Sequence, residues 1–205
     1  MKIVLITTLI LMCTSNILAQ FLPGGIDAKK KIELEEKNLR GSSYAELQLK
    51  YAPAFADYGA ELGIKAGYMF TNNFGLAVAT FYLLSKPLVD IGNNKRIVMR
   101  MTYYGIVPEF FYPLSDRLHL SAGVFAGLSY VDYGTGTGLD VPANLNGDWI
   151  ILIEPGIALN IKISGSLWVG FKTAYRTAQG VQLFNITQDE MSGLFSGIQL
   201  RFIIR

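Results

Sequence analysis

The feature that most constrains this chain is an alternation of large apolar residues with small or polar ones, from about Ser42 to the C-terminus. In residues 118–130, LHLSAGVFAGLSY, Val124 and Tyr130 share the apolar parity, whereas His119 lies on the other parity among Ser and Gly. Because successive side chains of a strand point to opposite faces, this pattern predicts β-strands.

The strands are separated by short and long connections in alternation. Three-residue turns at 71–73, 115–117 and 164–166 keep the apolar parity on one face of each hairpin, which supports the strand limits. The connections 85–96, 133–148 and 178–191 are long. The predicted strands are 43–52, 58–70, 74–84, 97–114, 118–132, 149–163, 167–178 and 192–204.

The composition of the second face indicates which face meets water. The outer face of a soluble barrel needs many long charged side chains. Here only 17% of all residues are charged, and the second face is mainly Gly, Ala, Ser and Phe, which suits a narrow lumen. We therefore predict an all-β fold, a closed eight-stranded antiparallel up-and-down transmembrane β-barrel with a filled lumen and its apolar face in lipid.

Aromatic residues of the apolar face gather near the strand ends. This arrangement is typical of two girdles that flank the aliphatic band of a transmembrane barrel. The predicted girdle residues are Tyr51, Tyr58, Tyr82, Tyr130, Trp149 and Tyr175 near the long connections, and Tyr68, Phe70, Phe74, Phe110, Tyr112 and Phe202 near the short turns.

Charged residues of the barrel fall mostly on the lumen parity. Since buried charges are costly unless they are paired, we expect a structural network, with an ion or proton pathway as the alternative. The hairpin register predicts Glu154 opposite Arg176, and the closing seam predicts Arg201 near Glu46. The predicted network residues are Glu46, Lys50, Glu61, Lys65, Glu109, Glu154, Lys162, Lys172, Arg176 and Arg201.

Two prolines fall inside predicted strands. Pro108 and Pro155 cannot donate a ladder hydrogen bond, and a closed barrel has no free edge to accommodate them. We therefore expect a β-bulge at each.

The N-terminal residues differ from the barrel. Residues 1–19 predict a signal peptide, with Lys2 before an apolar run and cleavage after Ala19. Residues 20–41 carry the charge-dense run DAKKKIELEEKNLR, which predicts a periplasmic linker or short helix, with a plug or partner-binding helix as the alternative; the barrel is 42–205.

Residues 42–205 resemble the eight-stranded outer-membrane β-barrel domain family, the OmpA-type and porT-like small barrels of Gram-negative envelopes. The segments that carry the resemblance are PEFFYPLSDRLHLSAGVFAGLSY, EPGIALNIKISGSLWVGFKTAYR and SGIQLRFIIR. The resemblance implies insertion in the outer membrane. The even number of strands and the short turns on one rim predict that both termini lie on the periplasmic side. One departure is the end of the chain, Arg205, where such barrels usually carry an aromatic residue.

The predicted strands contain few residues that could act in catalysis or bind a metal ion. Ser121 lies two residues from His119, a displacement of about 7 Å along a strand, which is beyond hydrogen-bond reach. We therefore predict no catalytic residue and no enzyme. The only cysteine, Cys13, lies in the predicted signal peptide, and with a single histidine the sequence predicts no metal site and no cofactor.

We expect a structural or interaction role at the cell envelope, in a monomer that contacts outer-membrane lipid. Loops 133–148 and 178–191 and the tail 20–41 are the predicted contact sites for an envelope or surface protein, although solvated loops are the simpler interpretation. The net charge of +2 gives no support for nucleic acid binding. The alternatives are a narrow ion or small-solute channel and, less favoured, a lipid A-modifying enzyme.

Overall fold

The computed structural model describes residues 39–55, 57–85, 87–90, 96–134, 147–183 and 186–204. The predicted signal peptide and most of segment 20–41 lie outside these residues. The strands are β1 Ser43–Ala54, β2 Asp57–Met69, β3 Phe74–Leu83, β4 Leu88–Asp90, β5 Arg96–Ser115, β6 Leu118–Gly134, β7 Asp148–Lys162, β8 Leu167–Gln179 and β9 Gly193–Ile204.

Eight of these strands close into a barrel. Each long strand pairs antiparallel with the next long strand along the chain, β3 pairs directly with β5, and β1 pairs with β9 to complete the ring. The predicted eight-stranded up-and-down barrel is confirmed, and all of its strand limits lie within two residues of the predicted ones. The turns at 70–73, 116–117 and 163–166 form one end, here called the turn rim, together with Ser43 and Ile204. The opposite end, with the longer connections, is the loop rim.

One strand was not predicted. Residues Leu88–Asp90 pair with Arg96–Val98 and extend the barrel wall beyond the loop rim, within a segment that the sequence pattern treated as a loop. A strand of three residues shows too little alternation to be recognised.

The prediction of a bulge at each internal proline is wrong. The β5–β6 register is unchanged from Ile106 to Glu109, and the β7–β8 register is unchanged from Ile153 to Gly156. Each ladder omits only the two pairs at the proline, because the ring nitrogen has no hydrogen to donate. The described register shift of β5–β6 lies instead between Pro113 and Ser115, next to a turn.

Burial alternates along the strands, and the exposed face is the apolar one. In β2, for example, Leu62 and Ile64 are 39% and 59% exposed, whereas Glu61 and Lys65 are at most 1% exposed. This is the reverse of a soluble protein, so the outer surface is suited to lipid. Among the described residues, no helix is long and apolar enough to cross a membrane.

The lumen has an apolar layer at the loop rim that the sequence pattern did not predict. Met99, Met101 and Leu152 are fully buried there, together with Met191 from the β8–β9 connection. Leu183 of the same connection is also buried. The interpretation of segment 178–191 as merely solvated is therefore wrong for Leu183 and Met191, which cover the end of the lumen.

Candidate functional site

Below this apolar layer lies a compact group of charged side chains, here called the loop-side cluster. Arg176 lies at its centre. Its Nη1 and Nη2 donate to the two carboxylate oxygens of Glu61 at 2.7 and 2.8 Å, and its Nε donates to Glu154 Oε1 at 2.8 Å. Lys50 Nζ donates to Glu154 Oε2 at 3.0 Å. The loop-side cluster consists of Lys50, Glu61, Glu154 and Arg176, with Tyr103.

Tyr103 joins the loop-side cluster through a single oxygen. Its hydroxyl accepts hydrogen bonds from Lys50 Nζ at 2.6 Å and Arg176 Nη2 at 2.7 Å, and donates to Glu61 Oε2 at 2.5 Å. The ring stacks on Phe81 with a centroid distance of 4.8 Å. The loop-side cluster thus joins five strands, because its members Lys50, Glu61, Tyr103, Glu154 and Arg176 belong to β1, β2, β5, β7 and β8.

A second cluster of the same composition lies nearer the turn rim. Lys65 Nζ is 2.5 Å from Glu109 Oε1 and 2.9 Å from Glu46 Oε1. Arg201 Nε donates to Glu46 Oε2 at 2.5 Å, and the Tyr44 hydroxyl donates to Glu109 Oε2 at 2.6 Å. This turn-side cluster consists of Glu46, Lys65, Glu109 and Arg201, with Tyr44.

Each cluster contains two carboxylates, one lysine, one arginine and one tyrosine hydroxyl that donates a hydrogen bond, so each is formally neutral when its carboxylates, lysine and arginine are charged. The charged side chains are at most 5% exposed by residue. At such burial, an unpaired charge is far more costly than the pair itself is stabilising. The equal numbers of opposite charges explain how eight ionisable groups can share a narrow lumen.

Lys172 and Lys162, also assigned to the predicted network, lie outside both clusters. Among the described residues, no carboxylate lies within ion-pair distance of Lys172, which borders a cavity of about 10 Å³ with Ser121 and Gln199. Lys162 lies near the turn rim, with its Nζ 5.6 Å from the centre of the Trp168 ring.

His119 and Ser121 have separate partners. The His119 ring packs against Trp168 at 4.3 Å between centroids, whereas Ser121 Oγ accepts a hydrogen bond from Asn160 Nδ2 at 3.0 Å. Both residues lie toward the turn rim. Within the described part of the chain, no group of three or more His, Cys, Asp or Glu residues is arranged to hold a metal ion.

Aromatic side chains form contact series at both ends of the outer surface. At the loop rim, Trp149 packs against Tyr130 and Tyr104, with centroids 5.1 and 6.2 Å apart. At the turn rim, Phe74 packs against Phe70 at 6.4 Å and Phe110 at 5.1 Å. Of the predicted girdle residues, Phe74 is half-buried, and those that are at least 40% exposed are Tyr51, Tyr58, Tyr68, Phe70, Tyr82, Phe110, Tyr112, Tyr130, Trp149, Tyr175 and Phe202.

Comparison with solved structures identifies the fold of this chain. Neisserial surface protein A matches with a TM-score of 0.54 and 11% identity over 78% of this chain and 95% of that protein. The outer membrane protein OprG from Pseudomonas aeruginosa matches with a TM-score of 0.51 and 9% identity, covering 80% and 97%. The chain has the fold of the small outer-membrane β-barrels. No protein-family model matches the sequence, and no curated protein matches it significantly.

Three tyrosines of this barrel were missed by the sequence analysis. Tyr44 and Tyr103 lie on the lumen parity of their strands, and that parity was the available signal. Tyr104, which is 50% exposed, lies on the lipid parity near Trp149 and belongs to the loop-rim aromatic series. Tyr44 and Tyr103 were left out because only charged residues were assigned to the lumen network. Tyr104 was left out because only residues close to the strand ends were assigned to the girdles.

Proposed function

We propose that this chain is an integral outer-membrane protein with a closed lumen, and that its role is structural or in contacts at the envelope surface. The observation that carries this proposal is the loop-side cluster. Arg176 is fully buried and bonded to side chains of β2, β5 and β7, so one guanidinium ties together opposite walls of the lumen.

The clusters leave little space for an aqueous path. Two cavities described inside the barrel measure about 20 and 10 Å³, and each is close to the volume that one water molecule requires. An ion that crossed the lumen would have to separate buried pairs such as Arg176 and Glu61. Separating such a pair would leave two buried charges without partners, which is costly and favours a closed lumen over conduction.

The contact role is assigned to segments outside the barrel wall. In the β8–β9 connection, Leu183 and Met191 are buried in the lumen mouth, whereas Gln182, Thr187 and Asp189 face outward. This connection is therefore anchored from within and presents polar side chains outside. We assign contact with a surface or envelope protein to it, to loop 133–148 and to tail 20–41, in a monomeric barrel surrounded by outer-membrane lipid.

Single-channel recording in planar bilayers tests the closed lumen. We expect no conductance steps from the purified, folded protein. A matched variant, Glu61→Ser with Arg176→Ser, removes the bond across the lumen while keeping the formal charge balance. We expect this variant, checked for folding by heat-modifiable gel mobility, to give short conductance events. Reproducible conductance steps from the wild-type protein would overturn the proposal in favour of a channel.

A further inference from the structure

A groove of about 610 Å³ indents the outer wall of the barrel across strands β5 to β9, and it is open on its outer side. Its border is formed by large apolar or aromatic side chains, those of Phe110, Val124, Ile157, Tyr175 and Leu194. In the register of the wall, the small Ala122 lies between Phe110 and Ile157, and Thr173 follows Ile157. Thr173 Oγ1 donates to the backbone carbonyl of Phe195 at 3.2 Å, so its hydroxyl is already paired within the wall. The groove therefore favours an apolar occupant.

Two prolines account for the indentation. Val124 of β6 pairs with Pro155 of β7, and the β5–β6 register places Pro108 opposite Val124 on the other side. Two compact rings therefore flank one valine on the lipid face, next to the row that contains Ala122. Because neither ring projects as far as the neighbouring Phe110, the wall is lower here than at its borders.

The groove lies at mid-height of the lipid-facing surface. Val124 is midway between Leu118 at the turn rim and Tyr130 of the loop-rim aromatic series. The hydrocarbon core of a bilayer is about 30 Å thick and contains acyl chains but no headgroups. The groove is continuous with the lipid-facing surface on both sides, so its occupant is either an acyl chain or the surface of another transmembrane protein.

A second copy of this barrel fits the groove poorly. The commonest contact between two identical chains is twofold, and in such a contact the same patch of each chain faces itself. Groove would then face groove, and the two indentations would enclose a space without partner atoms, which forfeits dispersion contacts. A flexible, unbranched acyl chain can instead lie within the groove and contact its floor and both borders.

We propose that the groove binds a saturated acyl chain of an outer-membrane lipid, which lies over Ala122 and against Val124 and Ile157. A chain in the groove contacts apolar atoms on its inner side and along both borders, whereas a chain on the convex wall contacts them on one side only. Since dispersion attraction grows with the number of atom contacts, the chain in the groove leaves more slowly. This site lies on the outer surface and does not depend on whether the lumen is closed.

Photolabelling by a lipid tests this site. The full mature chain is refolded into vesicles of saturated phosphatidylcholine that contain a small share of the same lipid with a diazirine near the end of one acyl chain. After illumination, the label on individual residues is measured by peptide mass spectrometry. Val78 of β3 is the internal reference, because it lies midway between Phe74 and Tyr82 on the lipid face and outside the groove. Exposure alone favours Val78, which is 63% exposed against 39% for Val124.

We expect a Val124-to-Val78 labelling ratio above one, although exposure alone predicts a ratio below one. Ala122→Phe fills the groove beside Val124 and should lower the ratio below one. The matched control is Ala66→Phe, because Ala66 pairs with Val78 on the lipid face; it should leave the label on Val124 unchanged. Heat-modifiable gel mobility checks that each variant is folded, and the wild-type ratio decides the proposal even if a variant does not fold.

Three results would overturn the proposal. A wild-type ratio below one means that lipid contact follows exposure alone. A ratio that stays above one in folded Ala122→Phe means that the label on Val124 does not come from a chain in the groove. Protection of Val124 together with chemical cross-linking of the protein into dimers assigns the groove to a second copy.

Discussion

Arg176 and Glu61 form a bidentate pair with N–O distances of 2.7 and 2.8 Å, although β9 and β1 lie between their strands in the barrel wall. The bond therefore crosses the lumen and does not follow the surface of the sheet. A planar guanidinium that binds a carboxylate with two parallel bonds fixes orientation as well as distance. This pair therefore fixes the distance between two strands that are not neighbours, β2 and β8.

Replacement of Arg176 by Gln is expected to destabilise the barrel by about 3–5 kcal/mol. The reason is that Glu61 and Glu154 would remain buried with Lys50 as their single cation. Equilibrium unfolding by urea in lipid vesicles, followed by heat-modifiable gel mobility, measures the change. Arg40→Gln, at an exposed position before β1, is the control and should change stability by less than about 0.5 kcal/mol.

The variant Arg176→Lys separates charge from geometry. It keeps the positive charge but loses the two-pronged contact with Glu61, so we expect an intermediate loss. Equal stability of Arg176→Gln and the wild-type protein would contradict a role of this pair in holding the lumen together.

A second prediction concerns the hydroxyl that joins the loop-side cluster. Tyr103→Phe removes one oxygen, which accepts from Lys50 and Arg176 and donates to Glu61. We expect a loss of about 1–3 kcal/mol in the same unfolding measurement, because buried charged groups lose a partner. The neighbouring Tyr104→Phe is a matched control on the lipid face of the same strand. A loss as large in Tyr104→Phe would show that the lumen hydroxyl is not special.

The strands of the barrel wall can be predicted from the sequence, but the hydrogen bonds across the lumen cannot. Alternation and three-residue turns predict strands and hairpin register, and that register places Glu154 opposite Arg176 on adjacent strands. The contact of Arg176 with Glu61 depends on how the closed sheet curves, which no local pattern encodes. The alternation of residues predicts that Arg176 and Glu61 both face the lumen. Their contact is determined only by the way the sheet closes into a barrel.

Residues at the barrel ends were harder to predict for a related reason. Leu183 and Met191 lie in a connection that has no alternating pattern. Their burial depends on their position over the mouth of the lumen, so the residues around them in the sequence do not predict it. The bulges expected at Pro108 and Pro155 did not form, since a wall that is hydrogen-bonded on both sides of each proline holds the register. The missing ladder bonds are confined to the two pairs at each proline.

Pro155→Ala is expected to stabilise the barrel. The β7–β8 register places residue 155 opposite Tyr175, and the new N–H can donate to that carbonyl. A hydrogen bond to this buried carbonyl contributes about 1–3 kcal/mol of stability. Loss of the proline ring makes the unfolded chain more flexible and costs only about 0.4–1 kcal/mol. Pro87→Ala, outside the long strands, loses only rigidity and should be slightly destabilising. Urea unfolding of both variants checks the opposite signs; a decrease for Pro155→Ala would contradict the ladder argument.

The final prediction concerns the close approach of β5 and β6. A Cβ atom at Gly105 would lie 2.6 Å from the Cα atom of Gly127 and would also collide with the carbonyl of Ala126. Both neighbours are backbone, so neither can rotate away, and the strands would have to separate. We expect Gly105→Ala to exceed the penalty of about 1–3 kcal/mol for ordinary overpacking, or to prevent folding. Gly165→Ala is the control, since a Cβ atom there has no described neighbour within 4 Å. Yields of heat-modifiable protein on refolding measure both variants, and equal yields would contradict the close approach of the two strands.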